Sequence, residues 1–258
     1  MSGCVTIGLK EIREHLRDGR SLRAAAMYAL MGPAVILLVS QSSAAERGGA
    51  GLLLSMMSVF ALVSAFTGGM YIALDSTAGE RERGSLVPLL LNPVPRRDVV
   101  VGKWIGVSAF TLAGLAVTLG GFTAVFEWGG IEPSRQITGV LLLWIVCGLV
   151  PLALLGAALD LLTGATSRTL KDAQAKLQTV VFVPMIVGMF LVFFPDWVGQ
   201  WWFALPIVGQ QALIGAGLRG ESVSVVHAGV LGIVTLAATA AALRAAAREM
   251  NRDEFVAG

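Results

Sequence analysis

The sequence has 258 residues, of which 55% are hydrophobic and only 14% are charged. Because soluble domains carry roughly 25% charged residues, this composition excludes a soluble globular protein and indicates a membrane protein. The net charge of +2 points to no strongly acidic or basic partner, and we predict no nucleic-acid partner. Of the two cysteines, Cys4 lies in a polar segment and Cys147 in an apolar one, which indicates neither a disulfide framework nor a metal site.

The first predicted element is an amphipathic helix. Val5, Leu9, Ile12 and Leu16 recur at helical spacing, with charged residues between them. Such a helix is typical of the membrane interface, where its apolar face is buried among the lipids. We expect residues 1–23 to form a cytoplasmic interfacial helix that anchors the chain. The same helix could also contact a partner.

Six apolar stretches approach or exceed the length of about 20 residues that a helix needs to cross a membrane. They are Ala24–Ser40, Leu52–Leu74, Val99–Phe126, Ile137–Leu162, Leu177–Phe194 and Val223–Leu243. The first stretch is short and could be a signal peptide, but the acidic residues before it are unusual for one, so we interpret it as a retained span. The predicted fold class is all-α, a polytopic membrane protein with six transmembrane helices, and residues 1–258 form a single domain.

The distribution of basic residues predicts the orientation of these spans. If the N-terminus is cytoplasmic, every Lys and Arg except Arg47, Arg135 and Arg219 lies on the cytoplasmic side. This asymmetry follows the positive-inside rule, and it supports the count of six spans because dropping one internal span would reverse every later loop. We therefore predict a multi-pass protein of the inner (cytoplasmic) cell membrane, with both termini in the cytoplasm.

The segment Asp75–Lys103, between the second and third spans, combines dense charge with an apolar centre, LVPLLL at residues 86–91. Charges this dense do not lie in lipid, so the segment is predicted to form a loop or short helix at the cytoplasmic face. Ser85 is placed to cap a short helix that ends at Asn92-Pro93. A solvated linker has no need of Leu86, Leu89 and Leu90, and we interpret them as a contact surface for another protein.

A second polar contact is predicted between the fourth and fifth spans. Ser167 could cap a helix leading into the fifth span, as Asp98 could cap the third span. The polar side of this helix carries Arg168, Lys171, Asp172, Gln174 and Lys176. After the fifth span, Phe203–Leu218 is apolar but too short to cross the membrane. We expect a re-entrant or outer-leaflet hairpin there, provided that protein covers its backbone.

Enzymatic motifs are absent from the sequence. A P-loop would need glycine where Arg97 stands and Ser or Thr where Trp104 follows Gly102-Lys103. No HExxH or GxSxG pattern occurs either. Asp160 is the carboxylate that falls within a span, which makes it a candidate for an ion path. The alternative is a structural residue near the cytoplasmic end of its span, where water can reach it.

The segment after the second span resembles the cytoplasmic signature of ABC-2 type permeases, the membrane subunits of ABC exporters. The family pattern is roughly GE(K/R)E(R/K)G(S/T)L, followed by LL, a Pro-Val pair, a basic pair and GK. It is matched in order by Gly79–Leu86, Leu89-Leu90, Pro93-Val94, Arg96-Arg97 and Gly102-Lys103. In the family this segment is a coupling helix that docks on the ATPase subunit. The resemblance implies docking through Glu80, Arg81, Glu82, Arg83, Gly84, Ser85, Leu86, Leu89, Leu90, Pro93, Arg96 and Arg97.

The loop between the fourth and fifth spans is similar to that of the sodium-efflux (NatB-like) branch of this family. The similarity runs over Ser167–Gln174 and implies a second cytoplasmic contact through Ser167, Arg168, Lys171, Asp172 and Gln174. That branch usually carries a large external domain after the first span. Here the loop is only Gln41–Gly51, so the chain lacks that domain and the substrate of the branch does not transfer directly.

The resemblance implies the permease subunit of an ATP-driven ABC exporter. ABC ATPase subunits would bind ATP and Mg²⁺, this chain would hold no cofactor, and a second permease, identical or paralogous, would complete the complex. The substrate stays open, with Na⁺ as one candidate. The alternative is a scaffold or assembly subunit of an ABC-type envelope machine, and ATP-dependent flux of a solute would separate the two. An intramembrane enzyme would need catalytic side chains at depth, and the spans offer almost none.

Overall fold

The computed structural model describes residues 3–84, 95–128, 139–197, 199, 204–218, 221 and 224–250. Over these residues the chain forms helices joined by turns, without a strand. The predicted all-α fold class is therefore confirmed.

The helices in chain order are α1 (Gly3–Arg17), α2 (Gly19–Ser40), α3 (Ser43–Thr67), α4 (Met70–Leu74), α5 (Glu80–Glu82), α6 (Arg96–Trp128), α7 (Gly139–Ala165), α8 (Leu170–Phe193), α9 (Val208–Leu218) and α10 (Val225–Glu249). A π-helical turn, Asp75–Gly79, joins α4 to α5. A 3-10 turn, Pro195–Trp197, follows α8.

Six helical segments of the described chain are long and apolar enough to cross a membrane. They are Gly19–Ser40, Gly51–Glu82, Arg96–Trp128, Ile145–Ala165, Leu170–Phe193 and Val225–Glu249. Each overlaps one of the six stretches predicted from the sequence, so the prediction of a six-span protein is confirmed.

The second span is longer than predicted. We expected it to end at Leu74, but the helix continues through the π-helical turn to Glu82. Glu80, Arg81 and Glu82 therefore lie on a helix that prolongs the span, and the predicted loop begins later. Charges at this extension are paired within the protein: Glu80 binds Lys103, and Arg83, the residue after the helix, binds Asp75.

Two of the three predicted caps are wrong, and the third, Ser85, lies outside the described residues. The N-cap of α8 is Thr169, whose side chain accepts a hydrogen bond from the backbone N–H of Asp172, whereas Ser167 donates its hydroxyl to the carbonyl of Thr163. The third span begins at Arg96, so Asp98 lies within the first turn of α6. Ser167 and Asp98 each lie within three residues of the start of a helix and carry an oxygen that can accept a hydrogen bond, as a true N-cap does. The sequence pattern therefore did not distinguish them from the cap.

The centre of the bundle is formed by α3 and α7. The spans differ in how much of their most apolar part is buried. In that part, 72% of the residues are buried in the second span and 56% in the fourth span, but only 17% in the fifth span. Leu62 and Phe66 of α3 pack with Leu149 and Leu152 of α7 in the main hydrophobic core, all fully buried. The spans α2, α8 and α10 lie at the periphery and expose much of their apolar surface.

The short helix α9 lies between α8 and α10 in sequence and packs against α3, α7 and α8. Its Gln210 side chain donates to Thr235 Oγ1 (2.9 Å) and accepts from the N–H of Ile207 (2.6 Å). That second bond holds Ile207 at φ 75°, which a β-branched residue rarely adopts. Gln211 donates to Ser58 Oγ at 2.8 Å. Protein therefore covers this non-spanning helix, as the expected hairpin requires.

The predicted N-terminal helix is present as α1, which lies against the start of α6. It ends at Arg17 instead of residue 23, because Asp18 caps the helix of the first span, which begins at Gly19.

The buried positions of α1 are Gly8, Glu11 and His15, while Val5 and Leu16 are 39% and 54% exposed. Most of the apolar face identified in the sequence is therefore turned away from the bundle, as expected for contact with lipid, whereas Ile12 packs against a buried core cluster. The face that packs on the protein carries Glu11 and His15, whereas Lys10 and Glu14 are exposed.

Candidate functional site at the charged end of the bundle

One end of the bundle collects the charged segments and is called here the charged end. Arg81 Nη1 donates to the carbonyl of Ser167 at 2.7 Å, which joins α5 to the turn between α7 and α8. Arg96 Nη1 donates to the carbonyl of Met250 at 2.7 Å, which joins the start of α6 to the end of α10. The two predicted cytoplasmic contacts therefore lie side by side on the same end.

Lys103 is the centre of a buried ionic cluster at this end. Its ammonium lies 2.9 Å from Glu11 Oε1 and 2.8 Å from Glu80 Oε2, and its side chain is 0% exposed. The three residues come from α6, α1 and α5, so one cation ties three helices together. A buried charge is strongly stabilised by its partners, and removing one partner of such a pair typically costs about 3–5 kcal/mol.

His15 extends the cluster toward α2. Its Nε2 lies 3.7 Å from Glu11 Oε2, and its Nδ1 lies 3.1 Å from Ser21 Oγ. The Ser21 hydroxyl donates to Asp18 Oδ2 at 2.6 Å, so His15, Ser21 and Asp18 form one chain of polar contacts. Asp18 also caps α2 by accepting from the N–H groups of Arg20 and Ser21. The cluster therefore fixes the angle between α1 and the first span.

The cluster keeps the Glu11 carboxylate charged. Burial by itself raises the pKa of Glu11, but the hydrogen bond from His15 and the charge of Lys103 outweigh it and lower the pKa to about 2. The carboxylate is therefore ionised at neutral pH and attracts the Lys103 ammonium.

Glycines allow α1 to approach α6 closely enough for these contacts. A Cβ at Gly102 would lie 2.7 Å from Ile7 Cβ and 2.9 Å from the carbonyl oxygen of Cys4, which is closer than side-chain atoms pack. A Cβ at Gly106 would likewise lie 2.9 Å from Glu11 Cβ. The pattern Gly102-Lys103 thus combines a residue that admits α1 with the cation that binds it.

The predicted docking residues divide into two groups in the structure. Glu80 and Arg81 bond to the bundle, and Arg83 pairs with Asp75 at 2.7 Å. Glu82, Gly84 and Arg97 are exposed at the charged end. Ser85 and the apolar residues of the prediction, Leu86, Leu89, Leu90 and Pro93, lie outside the described residues. The docking assignment for the whole set stays a prediction.

The second predicted contact also divides. Arg168, Lys171 and Gln174 are exposed. Asp172 pairs with Lys176 at 2.8 Å and accepts from the backbone N–H of Arg168. Ser167 is fully buried and contributes its carbonyl to Arg81. The contact of this loop with a partner stays a prediction.

Asp160 is buried more deeply than we expected. The sequence suggested that water reaches it, but it is 0% exposed, and neither carboxylate oxygen has a hydrogen-bond partner among the described residues. It lies on the α7 face between Gly156 and Gly164, since residues four apart share a face. A Cβ at Gly156 would meet Ala65 and Phe66, and one at Gly164 would meet Thr77. Asp160 therefore faces the helix that carries the signature segment.

Sequence reasoning missed the partners of the cluster. Glu11 and His15 are spaced four residues apart on α1, which is the one local signal for a pair. Lys103 was noted only as part of a family pattern, and its partners are 92 and 23 residues away in sequence. Among the described residues, no group of three or more His, Cys, Asp or Glu side chains is arranged to hold a metal ion.

Comparison with known proteins agrees with this architecture. The family model described as ABC-2 family transporter protein matches residues 5–197, from α1 to the turn after α8. The chain is also 34% identical over 178 residues to the ABC transporter permease protein NatB of Bacillus subtilis (strain 168). That match covers 65% of this chain and 45% of the relative, so the chain spans less than half of the relative's length. With three quarters of its length matched by the family model, the chain belongs to the ABC-2 family of transporter proteins.

Proposed function

We propose that this chain is the transmembrane permease subunit of an ATP-driven ABC exporter. Membership of the ABC-2 family implies association with ABC ATPase subunits. The sequence holds no P-loop, so ATP and Mg²⁺ belong to a separate ATPase subunit. The observation that carries the proposal is the buried Lys103 cluster, because it joins the predicted docking segment to two other helices.

The cluster supports a mechanical role for the docking segment. Glu80 lies on a helix continuous with the second span, so a push on the docking segment acts directly on that span. Lys103 binds Glu80 and Glu11 with full burial, and separating these charges inside the protein is unfavourable. The ends of the second and third spans and α1 then move as one unit when the ATPase changes conformation.

The orientation belongs to the same proposal. In the topology predicted from the sequence, all but three Lys and Arg residues fall on the side of the charged end, which favours the cytoplasmic face for that end. An ATPase that docks there has access to ATP. The protein is then a multi-pass protein of the inner membrane, and a second permease, identical or paralogous, completes the complex.

The substrate is proposed to be a small ion, with Na⁺ as the first to test. Asp160 supports an ion path, since an intramembrane carboxylate without a partner is rare and is often functional. An assembly or scaffold subunit of an envelope machine would show the same ATPase association without any flux. The two functions therefore separate in a transport assay.

The first experiment is purification of the chain from its native membrane, with mass spectrometry of what accompanies it. We expect a P-loop ATPase in stoichiometric amount. Recovery of the chain alone, under conditions in which a known ABC exporter stays assembled, would contradict the proposal. The complex is then reconstituted in liposomes with ATP and radioactive Na⁺ in the outer medium. ATP-dependent uptake of Na⁺ supports an exporter, and ATP hydrolysis without uptake supports a scaffold.

A further inference from the structure

A crevice lies between α7, α9 and α10, in the half of the bundle away from the charged end. Its volume is about 230 Å³. It is lined by Cys147, Gly148, Pro151, Gln210, Leu213, Val225, Ala228, Gly229, Leu231 and Gly232. No charged side chain lines it, so its walls suit a hydrocarbon group and not an ion.

The crevice exists because glycines occupy its walls. A Cβ at Gly229 or Gly232 would meet no atom within 4 Å, and one at Gly148 would meet only Leu213 Cδ2, at 3.8 Å. Larger side chains at these positions would fill the space between α7 and α10. The crevice is therefore a consequence of small residues on facing helices. In other membrane proteins such residues allow helices to pack closely, but here the space between the helices stays open.

The polar groups at the crevice are already accounted for, with one exception. The Gln210 side chain, at the base, bonds to Ile207 and Thr235. Pro151 has no N–H, so the Cys147 carbonyl lacks the donor that a helix normally supplies four residues later. A ligand here meets apolar surface and at most one free acceptor.

The crevice opens to the lipid. Cys147 is exposed, and Val225, at the first position of α10, is 70% exposed on a membrane span. The opposite ends of α7 and α10 lie at the charged end, where Ser167 and Met250 are bound. Under the orientation proposed above, the mouth of the crevice is therefore in the outer leaflet.

We propose that this crevice binds a hydrocarbon chain of an outer-leaflet lipid. A dry apolar cavity of about 150 Å³ holds a benzene molecule, so the larger crevice takes a longer segment of hydrocarbon. An empty crevice would leave its lining without contact atoms, and dispersion contacts with a seated chain would restore them. The lipid would fill the space between the fourth and sixth spans and hold them at a fixed separation. The assignment to the outer leaflet rests on the proposed function, whereas the binding of a hydrocarbon chain does not.

The experiment uses the full chain, with its ATPase where one is bound, in nanodiscs of phosphatidylcholine. A small fraction of the lipid carries a diazirine halfway along one acyl chain, and peptides labelled after irradiation are identified by mass spectrometry. The test variants are Gly229→Leu and Gly232→Leu, which fill the crevice. The control is Gly120→Leu, since Gly120 of α6 is also exposed and its Cβ would also meet nothing within 4 Å.

We expect labelling of the peptides that carry Cys147 and Gly232, reduced about tenfold in the two test variants and unchanged in the control; about tenfold corresponds to ~1.4 kcal/mol of lost binding. Equal labelling in all variants would mean ordinary annular lipid and would overturn the proposal. Absence of lipid label together with a chain-to-chain adduct through Cys147, in a Cys4→Ala background, would overturn it in favour of a second copy over the crevice. Labelling by the lipid does not require the ATPase. A failure of labelling and a failure to recover an ATPase are therefore independent results.

Discussion

Glu11, near the N-terminus, and Glu80, in the signature segment, bind the same ammonium group, that of Lys103, at 2.9 and 2.8 Å. The two carboxylates belong to different helices and would repel each other without this cation. The arrangement makes the position of α1 depend on the helix that leads to the predicted ATPase contact. It also makes Lys103 the residue whose loss has the largest predicted effect at the charged end.

Replacing Lys103 by Met should destabilise the fold. Methionine keeps the length of the side chain but leaves two carboxylates buried without a cation, so the free energy of unfolding should fall by about 3–5 kcal/mol. Thermal unfolding of the purified protein in detergent measures this change. The matched control is Lys171→Met at the same end, where the side chain is exposed and the expected change is within about 0.5 kcal/mol. Equal effects of the two substitutions would show that the cluster does not stabilise the fold.

A neutral version of the cluster should recover much of that loss. In the triple variant Lys103→Met, Glu11→Gln and Glu80→Gln no buried charge lacks a partner, and buried ion pairs replaced by uncharged groups are often neutral for stability. We expect the triple variant to unfold at a higher temperature than Lys103→Met alone. Strict additivity of the three single losses would contradict direct coupling between these side chains.

Acid should weaken the contact between α1 and α6 through Glu11. The pKa of Glu11 is lowered from 4.5 to about 2 in the folded protein, so the unfolded chain takes up the proton first as the pH falls. The stabilisation is complete above pH 4.5 and is lost between about pH 4.5 and 2, by roughly 3 kcal/mol. Denaturation by chemical denaturant at stepped pH should show a steeper loss for the natural chain than for Glu11→Gln. In Glu14→Gln, which changes an exposed residue, the natural slope should remain.

Gly102→Ala should separate α1 from α6. The added Cβ would lie 2.7 Å from Ile7, and overpacking of this kind costs about 1–3 kcal/mol. Gly120→Ala on the same helix adds a methyl group in open space, and it should stabilise the helix by about 0.5–1 kcal/mol. Thermal unfolding of the two variants should therefore shift in opposite directions. A stabilising effect of Gly102→Ala would show that the close approach of the two helices is absent.

The spans could be predicted from the sequence, but the cluster could not. A membrane span depends on the length and apolarity of one continuous stretch, and all six stretches carry that information locally. The pairing of Glu11 with Lys103 depends on how α1 packs against α6. The local sequence of either helix does not specify this packing. The extension of the second span to Glu82 was missed for the same reason. Its charged residues indicate a loop as long as their partners in the fold are unknown.

The apolar centre of the docking segment gives the sharpest test of function. Leu89→Asp places a carboxylate in the predicted contact with the ATPase. Burying this charge without a partner should cost several times more binding free energy than losing a contact at the rim of the interface. We expect the variant to insert into the membrane normally, to lose most of the co-purifying ATPase, and to lose ATP-dependent transport. Co-purification measures the first loss and flux in liposomes the second. Leu205→Asp, an equally drastic change at an exposed leucine away from the charged end, should keep the ATPase bound. If Leu89→Asp retains coupled transport, the ATPase docks elsewhere.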